Sequence, residues 1–111
     1  MNKRLLLART LQTFGVLRLI EALPSRPGIV VVNHHRVGNA NATRFDRGVY
    51  SATTEALDRQ ITLLKRRMPI VAGDELESLV TGKTPLTRTY AVLTFDDGYL
   101  DNYTNAFPVL K

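Results

Sequence analysis

Apolar positions along the chain follow two rhythms. Ile29-Val30-Val31-Val32 is a continuous β-branched run bounded by Gly28 and by the polar group Asn33-His34-His35-Arg36, and Tyr90 to Phe95 (Tyr-Ala-Val-Leu-Thr-Phe) reads as another strand. A run apolar on both faces predicts a buried strand of a parallel sheet. Leu57, Ile61, Leu64 and Met68 instead recur at helical spacing, which predicts an amphipathic helix capped by Thr53 and ended by Pro69. Ile70-Val71-Ala72 reads as a short strand. Asp74 followed by Glu77 has the pattern of a capping box ahead of Leu76, Leu79 and Val80, and Gly82 is placed to stop that helix. A third helix is expected from Asp101, interrupted near Pro108. Val37 to Val49, rich in Gly, Asn and Arg and without a period, predicts a long loop of the kind that is functional or mobile.

Strand, helix, short strand, helix, strand, helix requires crossover connections and hence a parallel α/β sheet. Three such strands make a poor independent core. The chain therefore reads as the opening of a larger domain, with an open sheet edge expected beside the last strand. At 111 residues it holds one small domain and not two.

Composition adds exclusions. There is no cysteine, which removes a disulfide framework, a thiolate zinc site and a cysteine nucleophile together. The net charge of +5 is unevenly placed: Lys3, Arg4, Arg9, Arg18 and Arg26 face only Glu21 in residues 1–28, whereas residues 29–111 carry ten basic and nine acidic side chains. The basicity belongs to the N-terminal segment, and the body offers no basic face for nucleic acid.

That segment divides from the rest at Pro24-Ser25-Arg26-Pro27, giving residues 1–27 as a basic N-terminal helix with a proline-containing linker. Leu7, Leu11, Phe14 and Leu17 share one broad helical face. The apolar run Leu5-Leu6-Leu7-Ala8 stops at Arg9, short of a secretory or membrane-spanning segment. A helix docked on the domain or on a neighbour, a peripheral membrane contact through residues 1–23, and a cleaved export signal all remain open. A cytoplasmic or membrane-peripheral location is the default expectation.

Chemistry concentrates at the carboxyl ends of the two long runs, where sites of open α/β sheets and barrels collect. His34-His35 follows the first and Asp96-Asp97-Gly98 the second. Neighbouring residues of an extended strand point to opposite faces, so Asp96 and Asp97 can serve one site only if the backbone turns between them, and Gly98 eases such a turn. Two carboxylates forced together repel, and a divalent cation relieves this while leaving one acid free as a base. The competing reading is that both acids merely cap the following turn. A phosphotransfer loop of the haloacid-dehalogenase type also begins with Asp after a hydrophobic strand, but it wants Asp-x-Asp-Gly, and here the acids are adjacent.

Thr94-Phe95-Asp96-Asp97-Gly98-Tyr99 resembles the first motif of the polysaccharide deacetylases, the NodB-homology group of carbohydrate esterases. Val32-Asn33-His34-His35-Arg36-Val37 is similar to the "YHRV" stretch of that family, with His34 in place of Tyr and His35 on the His. Leu57-Asp58-Arg59-Gln60 resembles its "FxxQ", and Asp101-Asn102-Tyr103 with Ala106-Phe107-Pro108-Val109-Leu110 its "DNxxxAxPxL". The resemblance covers roughly residues 28–111.

It implies the N-terminal portion of a distorted (β/α) barrel that removes N- or O-acetyl groups from an acetylated polysaccharide. By that resemblance Asp96 is the general base, Asp97 a ligand of a divalent metal, commonly zinc, and His35 lines the substrate mouth. The family's His-x-x-x-His ligands and its later motifs do not occur in these residues, so the 111-residue chain alone is expected to be inactive. The alternative is a catalytically inactive fragment or a membrane-surface accessory module. Tyr99 and Tyr103 are expected to be packing residues, Tyr99 with the option of edging the groove.

Overall fold

A computed structural model describes residues 26–111. The expected N-terminal helix, most of its linker and any membrane contact of residues 1–23 lie outside the described residues. The elements are strands β1 (Gly28–His34), β2 (Arg36–Val37) and β3 (Tyr50–Ala52), helices α1 (Thr54–Arg67) and α2 (Gly73–Val80), strand β4 (Thr89–Phe95) and helix α3 (Phe107–Leu110). Short 3₁₀ turns occupy Ala40–Ala42 and Arg47–Val49, and a π-helical turn at Asn102–Ala106 leads into α3.

β1 and β4 are parallel neighbours, in register from Gly28 opposite Thr89 to His34 opposite Phe95. The connection between them contains α1 and α2, as a parallel pair requires. The fold among the described residues is thus mixed α/β. The register also decides the site: it sets Asn33 beside Thr94, and both runs end at the same edge.

α1 begins where expected, with the Thr53 hydroxyl accepting from the Ala56 amide at 3.1 Å. Lys65, Arg66 and Arg67 in its last turn suit the negative end of the helix dipole. Leu57 and Ile61 are buried with Val37 and Ala106, and Ala52, Ile70, Leu93, Phe95 and Val109 pack around them. A second cluster joins Val71, Leu79 and Val92 to Ile29, Leu76 and Tyr90. Burying Leu57 fully removes it from water, worth about 1.5–3 kcal/mol.

Several expectations change. The capping box does not form: α2 starts two residues early, after Ala72, which makes no side-chain cap bond, so Asp74 lies inside the first turn and meets the dipole instead. The strand expected at 70–72 reduces to a single parallel bridge, Ile70 to Ala91. That bridge partly closes the edge of β4 that was expected to be open. Val30 and Val31, expected to be buried, are 44% and 60% exposed. The 37–49 segment is not featureless, for β2 pairs in parallel with β3 and brackets the two 3₁₀ turns. Near Pro108 the helix widens rather than breaks. The Phe107 amide reaches back to the Asn102 carbonyl in a π-turn just where Pro108 has no N–H to offer.

Candidate active site

The site is built where β1 and β4 end. The ladder runs one step past the strands, the Asp96 amide donating to the His34 carbonyl at 2.8 Å. Asp97 then adopts φ +68° and Gly98 φ +60°. The left-handed region is disfavoured for most side chains and least so for Gly, Asn and Asp, which is why Asp-Gly suits this corner. The turn breaks the strand alternation, and both carboxylates approach one imidazole. His35 Nε2 lies 3.8 Å from Asp96 Oδ2 and 3.9 Å from Asp97 Oδ2. All three side chains are well exposed to solvent, so the attraction when His35 is protonated is screened and contributes little to stability.

The adjacent histidines diverge. His34 is 3% exposed, stacks on Phe95 at a centroid distance of 5.2 Å, and its Nε2 is 3.2 Å from Gln60 Oε1 on α1. Its Nδ1 is buried and has no hydrogen-bond partner among the described residues. His34 is therefore a packing residue beneath the site, and only His35 reaches the acids.

Asn33 and Thr94, neighbours by register, complete the contacts of Asp96. Asn33 Nδ2 donates to Asp96 Oδ2 at 2.9 Å, and the Thr94 hydroxyl donates to Asn33 Oδ1 at 2.9 Å. On the other side Arg36 stitches the site to its surroundings. Its Nε donates to Asp101 Oδ2 at 2.8 Å, its Nη1 to the Phe45 carbonyl at 3.0 Å, and its guanidinium lies 4.4 Å from the Tyr50 ring centroid and 4.9 Å from that of Tyr99. The bond to Asp101 holds the guanidinium above its ordinary pKa. Tyr99 donates its hydroxyl to Asp46 Oδ2 at 3.1 Å, tying the 39–49 segment to the acidic turn. Partial burial and that hydrogen bond hold the phenol above the ordinary tyrosine value. Tyr99 thus packs at the site's margin, whereas Tyr103 is 71% exposed and touches Phe107, contrary to the packing role expected of it.

Sequence reasoning placed Asp96, Asp97 and His35 at one strand edge, and they lie together. It missed Asn33, Thr94 and Arg36 as a supporting set. The signal for the first two was the pairing of the two apolar runs, which puts the last polar residue of one beside that of the other.

Whether these residues suit a metal is a matter of spacing and number. Donors on one tetrahedral zinc at about 2.0–2.1 Å stand about 3.4 Å apart. The His35–Asp96 and His35–Asp97 separations are wider, and among the described residues no three histidine, cysteine or acidic groups are arranged to hold a metal ion. The described residues do not complete a metal site. What they can do unaided is accept or release a proton at an exposed carboxylate beside an imidazole.

Comparison with known proteins gives the segment a relationship. Over 86 residues, 76% of this chain, it is 36% identical to the poly-β-1,6-N-acetyl-D-glucosamine N-deacetylase of Escherichia coli K12, and equally to that of Escherichia coli O157:H7. This region is related to a deacetylase. The chain spans only 12% of the length of these curated relatives. No family model matches the chain, and no solved structure matches it. Among the described residues no helix is long and apolar enough to cross a membrane.

Proposed function

We propose that these residues form the first part of the catalytic barrel of a hydrolase that removes acetyl groups from a polysaccharide, N-acetyl groups in the first instance. The observation that carries the reading is the Asp96–Asp97 turn, which brings two carboxylates to one imidazole, in a chain 36% identical over 86 residues to an N-deacetylase. In this reading β1 and β4 are strands of a distorted (β/α) barrel, and the acidic turn sits at its carboxyl-end face.

Asp96 is the general base. Its carboxylate takes a proton from a water molecule as the water oxygen adds to the acetyl carbonyl carbon. The bond from that carbon to the sugar nitrogen then breaks as the nitrogen takes up the proton that Asp96 removed, giving acetic acid, which ionises to acetate, and a free amine on the sugar. His35, half-exposed beside both acids, lines the mouth and contacts the substrate. Asp97 would be one ligand of a divalent cation, with zinc the expected ion and the other ligands supplied from outside the described residues. A bound cation would polarise the acetyl carbonyl.

The test is acetate release from an N-acetylglucosamine polymer by the complete enzyme that carries these residues. Asp96→Asn should lower turnover about 10²–10⁴-fold, the usual contribution of a positioned general base. Turnover unchanged in Asp96→Asn would remove Asp96 from the chemistry, and a wild type that releases no acetate from any acetylated glycan would remove the reading.

A further inference from the structure

We propose that Asn33, itself oriented by Thr94, is the positioning residue that fixes the carboxylate of Asp96; the proposal rests on the deacetylase reading of Asp96. More than half of the Asp96 side chain is exposed. A base that must meet a water and an acetyl carbonyl in one geometry cannot rotate freely, because misplacement by about 1 Å costs up to about a hundredfold in rate. Its fixed partner is the Asn33 amide at 2.9 Å.

The orientation of that amide follows from donor and acceptor chemistry. An ionised carboxylate only accepts, so Asn33 must present its NH₂ to Asp96 and its carbonyl oxygen the other way. A hydroxyl is the group that can answer that carbonyl by donating, and Thr94 Oγ1 stands 2.9 Å from it. A reversed amide would oppose its oxygen to the carboxylate, so the three residues form a directed chain, Thr94 to Asn33 to Asp96.

The chain is set by the sheet. Asn33 and Thr94 are register partners on adjacent parallel strands, so their side chains leave the same face side by side. Asp96 lies two residues beyond Thr94 and is pinned through its own amide to the His34 carbonyl. β1 and β4 thereby set the Asp96 backbone, and the amide of Asn33 sets its side chain. The hydrogen bond engages Oδ2, the same oxygen that faces His35 Nε2, and leaves Oδ1 to the proton transfer.

Two measurements test this. The first follows the side-chain amide protons of Asn33 by ¹⁵N-resolved NMR in the complete protein. Both should shift in Asp96→Ala and in Thr94→Val and stay put in Thr94→Ser, which keeps the hydroxyl. Asn33 signals indifferent to Asp96→Ala overturn the proposal. The second is steady-state deacetylation. Asn33→Ala should lower kcat about tenfold to a hundredfold with KM changed less than about twofold, since Asn33 acts on the base and not on the substrate. Thr94→Val should lose less, and Thr94→Ser should recover the wild-type kcat. An Asn33→Ala enzyme with wild-type kcat overturns the proposal while leaving Asp96 as the base. A fall in KM and kcat together with a lowered melting temperature assigns Asn33 to folding, and overturns it too. A wild type without deacetylase activity overturns both this proposal and the reading beneath it.

Discussion

Asp101 answers Arg36 with one carboxylate oxygen, Arg36 Nε at 2.8 Å from Oδ2, and with the other accepts from the Val37 amide at 3.1 Å. One acid, immediately before the π-helical turn, therefore holds both residues of β2. Since Tyr99 also rests on the Arg36 guanidinium, the acidic turn between Phe95 and Asp101 is held at both ends: by the β1–β4 ladder before it and by this pair after it.

Asp101→Ala should destabilise the fold beyond the loss of an ion pair. The Val37 amide belongs to a fully buried residue and would have no acceptor, a cost of about 1–3 kcal/mol. Asp101→Asn keeps an acceptor for Val37 and should lose less. Urea denaturation of the two variants checks this, and equal midpoints would contradict it.

Gly38→Ala should also destabilise the protein. Gly38 sits at φ +142°, and an added Cβ would stand 2.8 Å from Asn105 Nδ2, which is engaged with the Val37 carbonyl at 2.8 Å. Strain of this kind costs about 1–3 kcal/mol. Adding Asn105→Ala relieves the clash but not the backbone strain, so the double variant should still fall short of wild type in a thermal melt.

Stability should fall on the alkaline side through Tyr99. Its phenol is held above the ordinary tyrosine value, by burial first and then by the hydrogen bond to Asp46. The unfolded chain therefore releases that proton at lower pH than the folded one. The stabilisation is complete below the ordinary tyrosine value and is lost as pH rises through the raised value. Denaturation midpoints measured across that range should drop more steeply for wild type than for Tyr99→Phe, and parallel curves would contradict the assignment.

Residues 1–111 alone should neither hold zinc stoichiometrically nor release acetate. The chain has two histidines, of which His34 is buried under the site and only His35 meets the acids. A zinc site takes at least three protein ligands in tight geometry. Calorimetric titration with zinc and an acetate assay on the purified chain test this, and metal-dependent turnover would overturn it.

Much of the organisation was legible along the chain. The β-branched run at 29–32 marked β1 and the largely apolar run at 90–95 marked β4, the Leu57–Ile61 spacing with Thr53 marked α1, and Asp-Asp-Gly after a strand marked the acidic corner. These features are set within a few residues of one another, by propensity, periodicity and turn chemistry, and local rules suffice for them. The early start of α2 and the bridge at Ile70 did not follow, because each depends on what the segment packs against.

The sequence by itself determined which residues could do chemistry: Asp96 and Asp97 at a strand end, with His35 at the end of the other strand. Only the tertiary structure decided how they are held. Asn33 and Thr94 lie 61 residues apart, and Arg36 and Asp101 lie 65 apart. No local pattern encodes such pairs. The first exists because parallel strands joined by a crossover come into one register, and the second because the turn after β4 carries Asp101 back onto β2.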